Sequence, residues 1–249
     1  MSGRVGSITT EIITDGLVFN MDPANRASYP KTGTTAFNTI DLSQTGSISG
    51  ATFDNTNGPT WNFDGTDDVI NCKGIGATLA GSPYLTIGIW MNLASYSSKG
   101  YFGMRGATNQ YFEANAYNNE LRWRVSNSAQ GGSSLSYGYK SNFQNLVALN
   151  EWFYYTGVFD GTLSGNDKAK LYINGTQISL TYSGTFPNIL SLLYSSGTTF
   201  YIGRASETVI GNVWRTNGNI SNTHLYNRAL PANEILHNYN ALKGRFGLS

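Results

Sequence analysis

Short apolar runs that alternate with polar residues recur along the whole chain. The clearest is Leu85-Thr86-Ile87-Gly88-Ile89-Trp90-Met91-Asn92-Leu93, with one face wholly apolar. Alternation at period two over a run this long predicts a β-strand, because successive side chains leave a strand on opposite faces. Leu17, Phe19 and Met21 alternate with Val18 and Asn20 in the same way. Residues 111–116 and 121–126 predict two more strands, with Tyr117-Asn118-Asn119-Glu120 as the turn between them. Residues 152–159 predict another, closed by Asp160-Gly161. Ala169, Leu171 and Ile173 share a face opposite Lys168, Lys170 and Tyr172. Asn174-Gly175 follows, a dipeptide suited to a type I′ hairpin turn because both central residues need positive φ. Phe200-Tyr201-Ile202 and residues 220–226 complete the series. The pattern predicts roughly ten to fourteen short strands without the fixed period of a repeat protein, which is an all-β antiparallel sandwich or barrel.

One helix is expected near the C-terminus. Pro231 suits a first helical residue, where its missing N–H is harmless. Glu234 lies in the first turn, Ile235, Leu236, Tyr239 and Leu242 form an apolar stripe, and Gly244 ends it. Residues 32–57, 126–142 and 181–197 read as loops rich in Gly, Ser, Thr and Asn. None has the length or composition of a domain linker. The expected organisation is an N-terminal arm, residues 1–14, followed by a single domain, residues 15–249.

Composition narrows the function classes. Charged residues make up 12% of the 249, with 29 Gly and 16 Tyr. That is the makeup of a turn-rich all-β chain. A net charge of +1 offers no electrostatic basis for nucleic-acid binding. Cys72 is the single cysteine, so neither an intrachain disulfide nor a zinc cluster is expected. It reads as a small buried thiol, and His224 and His237 as surface residues of a strand and a helix. No stretch approaches the apolar length of a membrane span, and the first residues lack the apolar run of a secretory signal. The expectation is a soluble protein made in a cytoplasm.

Several motifs appear in an order that resembles a known family. Thr14-Asp15-Gly16-Leu17-Val18-Phe19-Asn20-Met21-Asp22 resembles its opening strand, and Ser28-Tyr29-Pro30 with Gly33-Thr34-Thr35 the loop after it. Phe63-Asp64-Gly65-Thr66-Asp67-Asp68 matches an F-D-G-x-D-D motif. Glu151-Trp152-Phe153 and Leu171-Tyr172-Ile173-Asn174-Gly175 resemble its central hairpin, and Tyr201-Ile202-Gly203-Arg204 an I-G-R strand. Gly218-Asn219-Ile220-Ser221-Asn222 and Leu225-Tyr226-Asn227-Arg228-Ala229-Leu230 resemble the closing strand. From Ile13 onward the chain resembles the laminin-G-like, concanavalin-A-like jelly roll. The stretch 238–246 is similar to the branch found in structural proteins of tailed phages. There are two departures. Pro231 stands where the family has a capping Ser or Thr, so that cap is lost, and Thr223 replaces an aliphatic residue of the closing strand. The resemblance implies an antiparallel two-sheet jelly-roll sandwich with one short C-terminal helix.

The fold hosts many functions, so the residues must decide. Glucanases on it need a Glu followed two residues later by an Asp, so that both point into one cleft. Glu11, Glu113, Glu120, Glu151, Glu207 and Glu234 all lack that Asp, and neither His sits beside a nucleophile motif. No enzyme activity is expected. Asp64, Asp67 and Asp68 cluster beside Gly65, with Asp22 near the first loop. These four are the candidates for a structural calcium, which takes six to eight oxygens, although Asp and Asn also make turns by themselves. For a glycan or a protein partner the candidates are Trp214, placed in the polar loop 211–217, and Tyr137 and Tyr139. Trp61, Trp90 and Trp152 read as core. Ile8, Ile12 and Ile13 in the arm are candidate anchors that would order on a partner's sheet edge.

The phage resemblance then implies a non-enzymatic virion structural protein. It would be a capsid decoration or fibre-like surface component, made in the host cytoplasm, displayed on the virion surface and adhesive to glycans. Its expected partners are other virion proteins and a surface glycan, not nucleic acid or membrane, and a homo-oligomer is left open. The alternatives are a free carbohydrate-binding lectin module and a divergent glycoside hydrolase.

Overall fold

The computed structural model describes residues 11–249 except 57, 98, 108, 131, 134, 210 and 211. In chain order its strands are β1 (Leu17–Met21), β2 (Thr35–Phe37), β3 (Thr45–Ser49), β4 (Thr52–Asp54), β5 (Thr60–Asp64), β6 (Val69–Cys72), β7 (Tyr84–Leu93), β8 (Lys99–Ala107) and β9 (Gln110–Tyr117). They continue with β10 (Glu120–Asn127), β11 (Tyr137–Ser141), β12 (Trp152–Asp160), β13 (Ala169–Ile173), β14 (Thr176–Ile178), β15 (Thr181–Ser183), β16 (Phe200–Ile202), β17 (Arg204–Val209), β18 (Asn212–Arg215) and β19 (Asn217–Tyr226). A five-residue helix, α1 (Ile75–Leu79), follows β6, and α2 (Ala232–Leu242) follows β19.

One sheet has eight strands in the order β14-β13-β12-β7-β19-β5-β4, with β1 also on β19. The other has nine, in the order β15-β11-β10-β9-β8-β16-β6-β3-β2, and β17 and β18 form a separate hairpin. The ladders within both sheets are antiparallel. Leu17 lies opposite Tyr226 and Phe19 opposite Leu225, as the alternation in both segments predicts. A register shift between Ile220 and Thr223 lets β19 change neighbours, from β5 at its start to β1 at its end. Extra residues of this kind bend a strand and break its ladder locally. The Asn174-Gly175 turn is present, with φ of 51° and 77°, and Asn118-Asn119 makes an equivalent turn with φ of 51° and 62°.

The strands outnumber those predicted, because β2, β4, β14 and β15 are three-residue ladders at or near sheet edges. Three residues carry no readable alternation. The segments read as loops contain β2–β4, β11 and β15, and the five-residue β3 and β11 hide there because small and polar residues dominate them.

The two sheets pack face to face. Phe102, Met104, Phe112, Trp123, Phe200 and Ile202 of the larger sheet meet Phe19, Ile87, Met91, Phe153, Tyr155 and Leu171 of the smaller one in a single buried cluster. Trp123 crosses the gap. Its indole N–H donates to the Val158 carbonyl at 2.9 Å, and its ring lies where a Cβ on Gly157 would stand. A donor buried this deeply needs such an acceptor.

The smaller sheet is buried on its outer face too, which the alternation does not announce. Trp90, Tyr154, Val158, Tyr172 and Tyr226 form a second cluster with Leu230, Ile235 and Phe246 from the C-terminal segment. Phe246 stacks on Trp90 at 4.3 Å and packs against Trp152 at 4.5 Å. Pro231 is the residue flanking α2, with no side-chain cap, and Arg228 pairs instead with Glu234 of the first turn at 2.6 Å. The helical path does not stop at Gly244: a 3-10 turn, Lys243–Phe246, continues it, and Gly247 closes it at φ 73°.

On the same face His224 is fully buried between Tyr154 and Tyr226, which corrects its surface reading. The last residues of the expected arm also reach the C-terminal segment. Ile13 N–H donates to Asn238 Oδ1 (2.8 Å), the Tyr226 hydroxyl donates to the Ile13 carbonyl (2.8 Å), and His237 Nε2 lies 2.9 Å from the Glu11 carbonyl. Ile13 packs on the second cluster, and Ile12 lines a groove with Leu17, Ile40 and Leu242. Residues 11–14 are therefore bonded to the domain, so Ile13 is not a free anchor. Ile8, with the rest of residues 1–10, lies outside the described residues.

Candidate functional site

The outer face of the nine-stranded sheet carries a close set of polar and aromatic side chains. Alternation explains why. In β9 the inward residues are Phe112, Ala114 and Ala116, so Tyr111, Glu113, Asn115 and Tyr117 point out. In β10, Leu121, Trp123 and Val125 point in, and Arg122 and Arg124 point out. Cross-strand register then sets Tyr139 beside Arg122 and Tyr137 beside Arg124.

The β17–β18 hairpin lies across this face. Two glycines allow it. Gly203 turns the chain out of β16 at φ 91°, and a Cβ there would stand 2.2 Å from the Phe63 ring. A Cβ at Gly100 would stand 2.1 Å from Ala205 N and 2.6 Å from the Trp214 carbonyl, so only glycine permits the approach. Thr216 then ties the hairpin down, with its hydroxyl donating to the Gly100 carbonyl (2.8 Å) and its N–H to the Gly203 carbonyl (2.8 Å).

Trp214 thus sits on a strand, not in a polar loop, half-buried and stacked on Tyr117 at 5.3 Å with the rings 22° apart. The Arg122 guanidinium lies 4.8 Å from the Tyr117 ring centre and 4.6 Å from that of Tyr137, whose ring is 5.8 Å from Tyr139. Glu120 holds Arg122 in place, accepting from its Nε at 2.9 Å and its Nη2 at 2.6 Å. The structure therefore joins Trp214, Tyr137 and Tyr139, three separate candidates in the sequence, into one ladder. Tyr117 and Arg122 complete it. The sequence analysis missed both: Tyr117 looked like a turn residue, and Arg122 acquires neighbours only through strand pairing. The outward phase of β10 was the signal that could have found Arg122.

Beneath the ladder a buried polar cluster braces the sheet. Glu113 is fully buried and accepts from Arg124 and from Asn115 Nδ2 (2.9 Å). Arg124 also donates to the Tyr111 hydroxyl. A buried carboxylate paired in this way is a fixed counter-charge.

The acidic candidates separate. Asp64, Asp67 and Asp68 each bring a carboxylate oxygen within 4.8 Å of the others. Asp22 is not among them: both its oxygens accept from Arg245 at 2.9 Å. Much of the loop's oxygen is already used. Asp64 Oδ1 accepts from Thr66 N–H and Asp68 Oδ2 from Asp64 N–H. The carbonyls of Asp67 and Asp68 accept from the Arg215 guanidinium at 2.7 and 3.3 Å, and Lys99 Nζ lies 3.1 Å from where a Gly65 Cβ would be. Burial raises the Asp68 carboxyl above its ordinary range, and Asp64 and Asp67 add to the shift. The Arg215 guanidinium thus competes with a cation for the loop's carbonyls, while the three carboxylates stay close enough together to share one. Cys72 is buried, and burial pushes its thiol far up, which leaves it unreactive.

No curated protein matches the chain. Solved structures do match in fold. Domain 4 of an extracellular GH43 arabinanase from Geobacillus stearothermophilus, solved in complex with arabinotriose, aligns with a TM-score of 0.60 at 15% identity, covering 88% of this chain and 96% of that one. A Trypanosoma rangeli sialidase aligns with a TM-score of 0.63 at 13% identity over 94% of this chain, which spans 34% of the sialidase. The binding domain of botulinum neurotoxin serotype D aligns with a TM-score of 0.62 at 13% identity, over 90% of this chain and 51% of that one. A family model covers residues 64–236, from the end of β5 into α2, the stretch that holds most of both sheets and the hairpin laid across them. On that match the chain belongs to the concanavalin A-like lectin/glucanases superfamily.

Proposed function

We propose that this chain is a non-catalytic glycan-binding module whose platform is the Trp214–Tyr117–Arg122–Tyr137–Tyr139 ladder. The observation that carries the reading is the ladder itself. Sugar rings present apolar C–H faces to aromatic rings and hydroxyls to flanking polar groups. Rings held by an arginine between them lose little freedom on binding, which favours affinity. The arabinotriose bound by the arabinanase domain supports a saccharide as the ligand class. Catalysis is not part of the proposal. A general acid must reach the glycosidic oxygen, yet Glu113 is buried and paired, and Glu120 is engaged by Arg122.

The test is titration calorimetry against a panel that includes arabino-oligosaccharides and sialosides. Trp214→Ala and Arg122→Ala are each expected to weaken binding at least tenfold while the melting curve shows that both variants stay folded at the assay temperature. Unchanged affinity in both variants rules the platform out. Steady release of reducing sugar from any panel member, lost with Glu113→Gln, would instead show an enzyme.

A chelator is expected to leave the melting temperature unchanged, since Arg215 already occupies the Asp67 and Asp68 carbonyls of the acidic loop. A drop of several degrees, with one metal per chain by elemental analysis, would show a ligand that binds the folded state. Display on a tailed-phage particle, in contact with capsid or fibre proteins, is the narrower reading, supported by the resemblance of residues 238–246. Mass spectrometry of purified particles tests it, because a virion component must copurify.

A further inference from the structure

The β17–β18 hairpin leaves a second concavity on the same sheet, away from the aromatic ladder. It has a volume of about 450 Å³ and is lined by Thr45, Ser47, Asn71, Lys73 and Thr199, a size within the range of small-ligand sites. Register explains its make-up. Ser47 lies opposite Asn71, and Asn71 opposite Tyr201, so these three form one outward row across β3, β6 and β16. Their neighbours Ile48, Ile70, Cys72, Phe200 and Ile202 point into the core. Lys73 is two residues beyond Asn71, about 6.6 Å along the strand, with Thr199 just before β16 and Thr45 at the start of β3.

The charge on this concavity is one-sided. None of the five lining residues is acidic, and Lys73 is exposed and makes no salt bridge among the described residues. Arg204 places its guanidinium 4.3 Å from the Tyr201 ring centre, at the Tyr201 end of the row, and its Nε donates to the Ala205 carbonyl. Desolvation lowers the pKa of that guanidinium and Arg215 adds to the shift, while Tyr201 and the Glu113 carboxylate oppose it. Lys73 with hydroxyls and an amide lines the concavity, and the Tyr201 ring with Arg204 beside it flanks Asn71, which together make a recognisable set. The hydroxyls and amide suit sugar hydroxyls, the ring suits a C–H face, and the cations suit a negative charge.

We propose that this concavity binds a carboxylate-bearing saccharide unit, with Lys73 and Arg204 as the charge contacts and Ser47, Asn71 and Tyr201 as the sugar contacts. The inference rests on the glycan-binding reading and adds a charge class and a second contact point. Lys73 is exposed and unpaired, so replacing it leaves the fold intact. The experiment titrates the full chain with tri-galacturonate, with sulfated galactan oligosaccharide and with neutral arabinotriose. It compares Lys73→Ala, Lys73→Arg and Trp214→Ala.

Tri-galacturonate is expected to bind more tightly than arabinotriose. Lys73→Ala should remove at least a tenfold share of that preference, Lys73→Arg should retain it, and 0.5 M salt should weaken it, since exposed charges are screened. Arabinotriose binding should be untouched by Lys73→Ala and lost with Trp214→Ala. Equal affinity for acidic and neutral ligands, or a preference that survives Lys73→Ala, overturns this inference and leaves the ladder reading standing. Tighter binding of the sulfated ligand overturns the carboxylate assignment. Absence of binding by all three ligands overturns both readings together.

Discussion

Acid is expected to destabilise this domain through one imidazole, that of His224. The ring is fully buried on the outer face of the smaller sheet. Asn222 Oδ1 lies 2.5 Å from Nδ1, and the same amide donates through Nδ2 to Asn20 Oδ1 at 2.8 Å. Nδ1 must therefore carry the proton, which leaves Nε2 to accept from the Tyr154 hydroxyl at 2.6 Å. Burial holds the His224 pKa down to about 3, against 6.5 for an ordinary imidazole.

Below 6.5 the unfolded chain binds a proton that the folded chain refuses. Stability is then full above pH 6.5 and falls as the pH drops towards 3. Each pH unit in that window costs about 1.4 kcal/mol, so the loss at pH 4.5 is about 3 kcal/mol. Asp68 works in the opposite sense: its raised pKa means that acid adds stability as it titrates. Comparing wild type with His224→Gln isolates the histidine, because glutamine cannot protonate. Urea unfolding at pH 7 and pH 4.5 should show the wild type losing about 3 kcal/mol more than the variant over that interval. Parallel losses in the two proteins would show that the imidazole does not govern the acid limb.

Phe246→Ala is expected to cost about 3 kcal/mol, the low end for emptying a buried aromatic site. The ring is 8% exposed and lies between Trp90 and Trp152. Its removal opens a hole that neither indole can fill, since Trp90 also stacks on Tyr154 and Tyr239 at 5.2 and 5.7 Å. For a chain of this size that cost lowers the melting temperature by roughly 6–12 °C. The site on the opposite sheet should be untouched, so glycan affinity measured well below the melting temperature stays at the wild-type value. A melting temperature within a degree of wild type would mean that the C-terminal segment covers the sheet without stabilising it.

The class of fold was legible in the chain because sandwich strands with a buried inner face must alternate. Leu85–Leu93, Ala169–Ile173 and Ile220–Tyr226 do so openly, and Asn174-Gly175 names its own turn through positive φ. The helix was legible from its apolar stripe. What alternation could not convey is which outward faces are later covered. His224 and Trp90 carry the same outward signal as Arg122, yet the C-terminal segment covers Trp90, His224 is buried beside Tyr154 and Tyr226, and Arg122 is covered less. Coverage is a long-range event, with Trp90 and Phe246 over a hundred and fifty residues apart, and no local pattern encodes it. The site follows the same rule. Trp214, Tyr137 and Tyr139 were visible one by one as aromatics among small polar residues. Only strand pairing set Tyr137 and Tyr139 beside the two arginines, and only the glycines at 100 and 203 let the hairpin bring Trp214 onto Tyr117. Residue type and alternation determined what each face carries. Register and close backbone approach, which depend on the whole sandwich being assembled, decided which of those residues meet.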